Sequence, residues 1–225
     1  ICEEIGLAIT CVQAERAEYV LQTVIHITAV GVKKNSKQQM KKWIPGTEII
    51  LCGYTGLEGT LRLVEEAEAD LRTRFTPSFI EKTKRCKESL ILPEQILKLP
   101  EEAKSRQCGD GGVLCGLWEL AEAEKTGFEI DFSKLALKQE TVEICEFFQL
   151  NPYLLTSVGS YLVLTEHGEE TLESLKNAGV PAVRIGFVKE PNARTLVNGE
   201  ETRYLYRPAP DELSRWWKAR KDSEA

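Results

Sequence analysis

The chain is short of methionine, of histidine and of any long apolar run. Its one methionine is Met40, and its two histidines, His26 and His167, stand far apart. A histidine-based zinc site has no pattern to rest on, and Walker A and nucleophile-elbow strings are absent too. No segment approaches the ~20 apolar residues of a membrane helix, and the first residues lack the pattern of a secretory signal. No membrane partner is expected. The seven cysteines, at positions 2, 11, 52, 86, 108, 115 and 145, form no C-x-x-C pair. An odd count without metal spacing reads as reduced thiols in a cytoplasmic protein, most of them small core residues. Cys108 and Cys115 flank a glycine-rich turn and are the pair that a redox role would use.

A surplus of positive charge is missing as well. Lysine and arginine number 29 against 35 acidic residues, for a net charge of -6. The lysine clusters near Lys34, Lys42 and Lys84 are short and broken, so no nucleic acid partner is expected. With 225 residues, 42% of them hydrophobic, the chain can fold as one large domain burying about 70% of its unfolded surface. Because it begins at Ile1 and its only methionine lies well inside it, the chain is expected to be processed or part of something longer.

What is present is an interleaving of strand and helix patterns. Residues 23–32 are rich in β-branched side chains and apolar on both faces, a strand that needs cover on both sides. Pro45-Gly46 marks a boundary, giving units 1–43 and 44–225. Beyond it, Glu48 to Cys52 reads as a strand, and a helix from Leu57 carries Leu61, Val64 and Leu71 at helical spacing. Proline-opened helices follow at Pro77 and Pro93. A helix after the 109–112 turn presents Val113, Leu114, Leu117, Leu120 and Ala121 on one face and ends at Gly127. Then come a strand at 128–132, a helix at 139–148, a strand at 161–165, a helix at 169–178 and a strand at 183–188. Asn198-Gly199 signals a β-hairpin, and Asp211 caps a final helix. The fold class is α/β or α+β, with a mixed sheet and flanking helices.

Four strings carry a family likeness: GYTGLEGT at 53–60, GDGGVLCGLWELAEA at 109–123, FEIDFSKL followed by ETVEICEFF, and NPYLLTSVGSYLV at 151–163. In this order and spacing the chain resembles the AIR synthase-related (PurM-like) superfamily over about two-thirds of its length, nearest to its hydrogenase maturation factor type. The resemblance implies a C-terminal domain of that family at 44–225. It also implies that residues 1–43 are a remnant of the ATP-binding, dimerising N-terminal domain. The strand bounded by Val24 and Val32 would then be the homodimer contact, and the full-length protein would use ATP and magnesium to activate a substrate oxygen by phosphorylation.

The likeness has gaps. Thr10 to Glu15 stands where relatives carry a Gly-Gly-His-Thr-Glu-like string, the aspartate-rich metal motif is absent, and the loop before Gly109 is shortened. The C-terminal cysteine of the maturation factors has no match in residues 221–225, so cyanide formation is not expected. Candidate nucleotide- or substrate-binding residues are Gly109, Asp110, Gly111, Gly112, Glu58, Gly59, Thr60, Asn151, Ser157 and Ser160. Glycines let a backbone approach phosphate, and the helix after them presents N–H groups. Asp110 is a candidate magnesium ligand, or alternatively the cap of that helix beside a positive-φ turn. Two functions therefore stand side by side. One is a part of an ATP-dependent enzyme with doubtful turnover by this chain alone; the other is a non-catalytic ligand-binding or dimerisation module.

Overall fold

Alternation along the strand Glu48–Cys52 (β1) puts Ile49 and Leu51 on one face and Ile50 and Cys52 on the other, so it needs cover on both sides. The computed structural model of the chain supplies that cover. It describes residues 8–15, 25–28, 30, 42–96, 99–100 and 102–224. The chain divides into two units, Ile1–Met40 and Lys41–Ala225. In the first, the described residues have no helix or strand, and most of the strand expected at 23–32 lies outside the described residues.

In the second unit, β1 is followed by helices Leu57–Glu66 (α1), Glu68–Leu71 (α2), Pro77–Arg85 (α3) and Pro93–Ile96 (α4), then the strand Lys104–Gln107 (β2). Next come Gly112–Glu124 (α5), Gly127–Asp131 (β3), Gln139–Phe148 (α6), Tyr161–Thr165 (β4) and Gly168–Asn177 (α7). The strands Ala182–Lys189 (β5), Arg194–Asn198 (β6) and Glu201–Tyr204 (β7) lead to the last helix, Glu212–Glu224 (α8).

The seven strands form one sheet in the order β2-β4-β1-β5-β3-β6-β7. The ladders are antiparallel except for β3 beside β6. Val113, Leu117 and Leu120 of α5 close one face of the sheet over Ile49, Leu51, Phe128, Ile130 and Leu162. Leu175 of α7 and Val180 close part of the other face over Ile50, Cys52 and Val163. A third cluster, built from Leu63, Val64, Ile80, Ile144, Leu155 and Leu213, joins α1, α3, α6 and α8.

Several sequence readings shift in detail. On α1 the buried residues are Leu57, Gly59, Thr60, Leu63 and Val64, with Leu61 only half-buried, and the helix breaks at Ala67 before α2 begins. Lys104–Gln107, read as a run-in to the turn, is an edge strand; its four polar side chains carry no apolar alternation that would reveal it. The helix α5 closes on Lys125 rather than Gly127. Gly127 instead opens β3, where a β-carbon would collide with the carbonyls of Glu190 and Ala193.

Burial raises the thiols of Cys52, Cys108 and Cys145 to about 12. A thiolate is the reactive form, so these three are expected to resist iodoacetamide at pH 8 while the exposed Cys11 is alkylated. Peptide mapping after a short pulse checks this; native-state labelling of Cys52, Cys108 or Cys145 would contradict the packing.

Candidate functional site

Two helices of the second unit begin on a glycine in the left-handed region. Gly56 (φ 68°) precedes α1 and Gly111 (φ 76°) precedes α5, and neither helix is capped by a side chain of that glycine's own turn. Non-glycine residues are disfavoured there by roughly 1–2 kcal/mol. Each glycine N–H is met by a side chain from far along the chain. Gly56 donates to Ser157 Oγ at 2.8 Å, and Gly111 donates to Asp211 Oδ2 at 2.8 Å.

The loop between α6 and β4, residues 149–160, ties the two starts together. Ser157 N–H donates to the Gly109 carbonyl at 3.1 Å, Ser157 Oγ donates to the Leu155 carbonyl, and Gly59 N–H donates to the Thr156 carbonyl at 3.1 Å. The approach is close enough to need glycine on the helix side. A β-carbon at Gly56 would stand 2.7 Å from the Pro152 carbonyl oxygen, and one at Gly112 would stand 2.5 Å from that of Tyr153. One at Gly59 would stand 2.5 Å from Leu155 Cγ.

The structure thus brings the sequence-predicted residues into one place, and most of their polar groups already have partners. Thr60 Oγ1 donates to the Gly56 carbonyl at 2.8 Å and lies 3.2 Å from Thr141 Oγ1. Ser160 Oγ donates to the Tyr54 carbonyl at 2.8 Å. Glu58 accepts from Thr156 Oγ1 at 3.0 Å and pairs with Arg62. Asn151 Oδ1 accepts from Tyr153 N–H at 3.0 Å, closing an Asx turn. Gly112 N–H returns to the Gly109 carbonyl at 3.1 Å. Asp110 and Asn151 are the exposed members of the set, whereas Thr60, Ser157 and Ser160 are buried.

Asp110 does not cap α5. The carboxylate at the start of that helix belongs to Asp211, a residue one hundred positions on. Asp211 is buried, and its other oxygen accepts from Leu213 N–H at 2.9 Å and Ser214 N–H at 3.2 Å, capping α8 as its sequence position predicts. Its link to Gly111 has no signal in spacing or pattern. Beside it, burial pushes the Glu212 carboxyl above the usual carboxylate range, against the opposing charge of Arg215.

Among the described residues, no three of His, Cys, Asp and Glu gather into a metal-binding group. Asp110 offers a single carboxylate, where magnesium uses one or two together with phosphate and water. Along α5 runs an open groove of about 1060 Å³, lined by Arg106, Cys115, Trp118 and Glu119 and faced by Pro208 and Pro210. Sequence reasoning did not find it, because it joins residues a hundred positions apart.

Residues 45–197 match the model of the AIR synthase related protein, C-terminal domain. The chain belongs to that family. Among solved structures, the AIR synthase-related chain is similar to the E. coli hydrogenase maturation protein HypE, at 22% identity and a TM-score of 0.60, over 79% of this chain and 55% of that one. A HypE–HypF complex aligns at 26% identity and a TM-score of 0.57, over 75% of this chain and 55% of that one. HypE in complex with ATP aligns at 18% identity and a TM-score of 0.56, over 78% of this chain and 54% of that one. The chain therefore spans little more than half the length of these neighbours. No curated protein matches it. Among the described residues, no helix is long and apolar enough to cross a membrane.

Replacing Asp211 by alanine removes a helix cap, costing about 0.5–2 kcal/mol, and strands a buried donor at about 1–3 kcal/mol. Urea unfolding of Asp211→Ala is expected to show a loss of more than about 2 kcal/mol, and Gly112→Ala a loss at least as large. Asp110→Ala, on the exposed side of the same turn, is expected to stay within about 0.5 kcal/mol of the parent. Equal losses at Asp110 and Asp211 would contradict the assignment.

Proposed function

We propose that this chain supplies the ligand-facing C-terminal half of an ATP-dependent enzyme of the AIR synthase-related family, one that activates a substrate oxygen by phosphorylation. The observation that carries the reading is the gathering of three family-like strings, at 53–60, 109–112 and 151–160, around the starts of α1 and α5. The ATP complex of a HypE protein of the same fold supports it. In this reading residues 1–43 close the nucleotide-binding half, and Val24 to Val32 form its homodimer strand.

Phosphoryl transfer depends on positioning phosphates and neutralising their charge. Among the described residues one exposed carboxylate, Asp110, stands beside the turn and no three metal-ligating side chains gather, so in this reading turnover uses the other half of the site. Asp110 and Asn151 would face the ligand, while Gly109, Gly111 and Gly112 shape the turn and Glu58, Gly59, Thr60, Ser157 and Ser160 hold it in place. The free thiols suit a reducing, cytoplasmic setting.

One observation favours the second reading, a non-catalytic binding or dimerisation module. The Gly111 N–H, the group an external phosphate would use, is already taken by the carboxylate of Asp211. Titrating MgATP into isotope-labelled chain separates the two. The enzyme-half reading predicts shifted amide resonances at Asp110 and Asn151 with ATP turnover no faster than in buffer. Unmoved resonances would leave the module reading, and magnesium-dependent hydrolysis by this chain alone would contradict both.

A further inference from the structure

The sheet ends on β7, whose four residues are all exposed and which lies beyond the family match at 45–197. Its ladder with β6 runs Thr195↔Tyr204, Leu196↔Arg203, Val197↔Thr202 and Asn198↔Glu201, and Leu205 N–H donates to the Arg194 carbonyl at 2.8 Å. Hydrogen-bonded and non-bonded pairs alternate in an antiparallel ladder. Glu201, Arg203 and Leu205 therefore spend their backbone groups on β6, while Thr202 and Tyr204 turn theirs outward. Such an edge is a template for another strand.

We propose that β7 pairs with β7 of a second copy of this chain, joining two seven-stranded sheets across a two-fold axis. Self-complementarity is the argument. Two antiparallel copies set outward N–H and C=O groups opposite one another when the axis passes through Thr202, Arg203 or Tyr204, the last of which sets Arg203 opposite Leu205 without a charge partner. An axis at Arg203 sets that residue against itself, with like charges opposed. An axis at Thr202 sets Glu201 of each copy opposite Arg203 of the other, in non-bonded pairs where side chains come closest. Within one copy these two side chains already share a face and pair at 2.7 Å while remaining more than half exposed, at 65% and 77%. They are positioned to form a four-charge cluster.

The opposite face carries two exposed rings in a mixed row. The ladders place Phe187, Glu129, Thr195 and Tyr204 in one row across β5, β3, β6 and β7. Phe187 is 40% exposed and Tyr204 62%. Pairing at Thr202 sets Tyr204, at the end of that row, opposite Glu200 of the second copy. The edge is short, so the association is weak and depends on concentration.

Sedimentation velocity of the full chain across a concentration series, at low salt, tests this. The parent is expected to form a reversible dimer. E201R and R203E each put like charges opposite one another twice per dimer and should weaken association roughly tenfold or more. Mixing the two single variants one to one should restore the parent's affinity, because each arginine then faces a glutamate, and the double variant E201R/R203E should dimerise as the parent does. A chain that stays monomeric, or a dimer whose affinity ignores both single variants, overturns the proposal. The second outcome is the one expected of a dimer held through Val24 to Val32. Loss in both singles without rescue on mixing also overturns it.

Discussion

The loop joining α6 to β4 is wedged between the starts of α1 and α5, and neither approach leaves room for a β-carbon. Gly56 and Gly112 face backbone carbonyls of Pro152 and Tyr153 at distances that no alanine could accept, and Gly59 stands against Leu155. Leu155 is also a central member of the cluster that binds α1, α3, α6 and α8. The same few residues therefore fix where two helices begin, how the helices of that cluster pack together and where the exposed residues Asp110 and Asn151 sit. Glycine is needed here for closeness of packing as much as for the left-handed backbone.

Charge completes this junction. A turn that opens a helix carries N–H groups without partners inside the helix and a partial positive charge. At α1 that demand is met by the Ser157 hydroxyl, and at α5 by the Asp211 carboxylate. Because Asp211 also caps α8, one buried side chain couples the glycine-rich turn to the last helix of the chain. The physical features that make such a turn attractive to phosphate are thus used, in this chain, to hold the C-terminal segment in place.

Much of the fold was legible. β1 and β4 are short, apolar and β-branched; α5 shows a clear apolar face; the Asn198-Gly199 hairpin and the Asp211 cap follow from turn and cap chemistry. The edge strand Lys104–Gln107 was not, because an exposed edge needs no apolar face. Gly127 was misread because a glycine that ends a helix and one that lets two backbones meet look alike in sequence. At the candidate site the residues that come together were legible as strings, but their bonding was not. The partner of Gly111 lies one hundred residues away, and Asp211 had an adequate local role that hid the second one.

The family match establishes the architecture, and one neighbour of similar fold is a HypE protein in complex with ATP, of which this chain covers 54%. The junction in this chain turns on the in-chain carboxylate that meets the Gly111 N–H. Amide hydrogen exchange at Gly111 tests that feature most directly. The account predicts that Gly111 N–H is protected as strongly as the core amides of α5 and that Asp211→Ala releases it while those core amides stay protected. Fast exchange at Gly111 in the parent protein, or protection unchanged by Asp211→Ala, would contradict it.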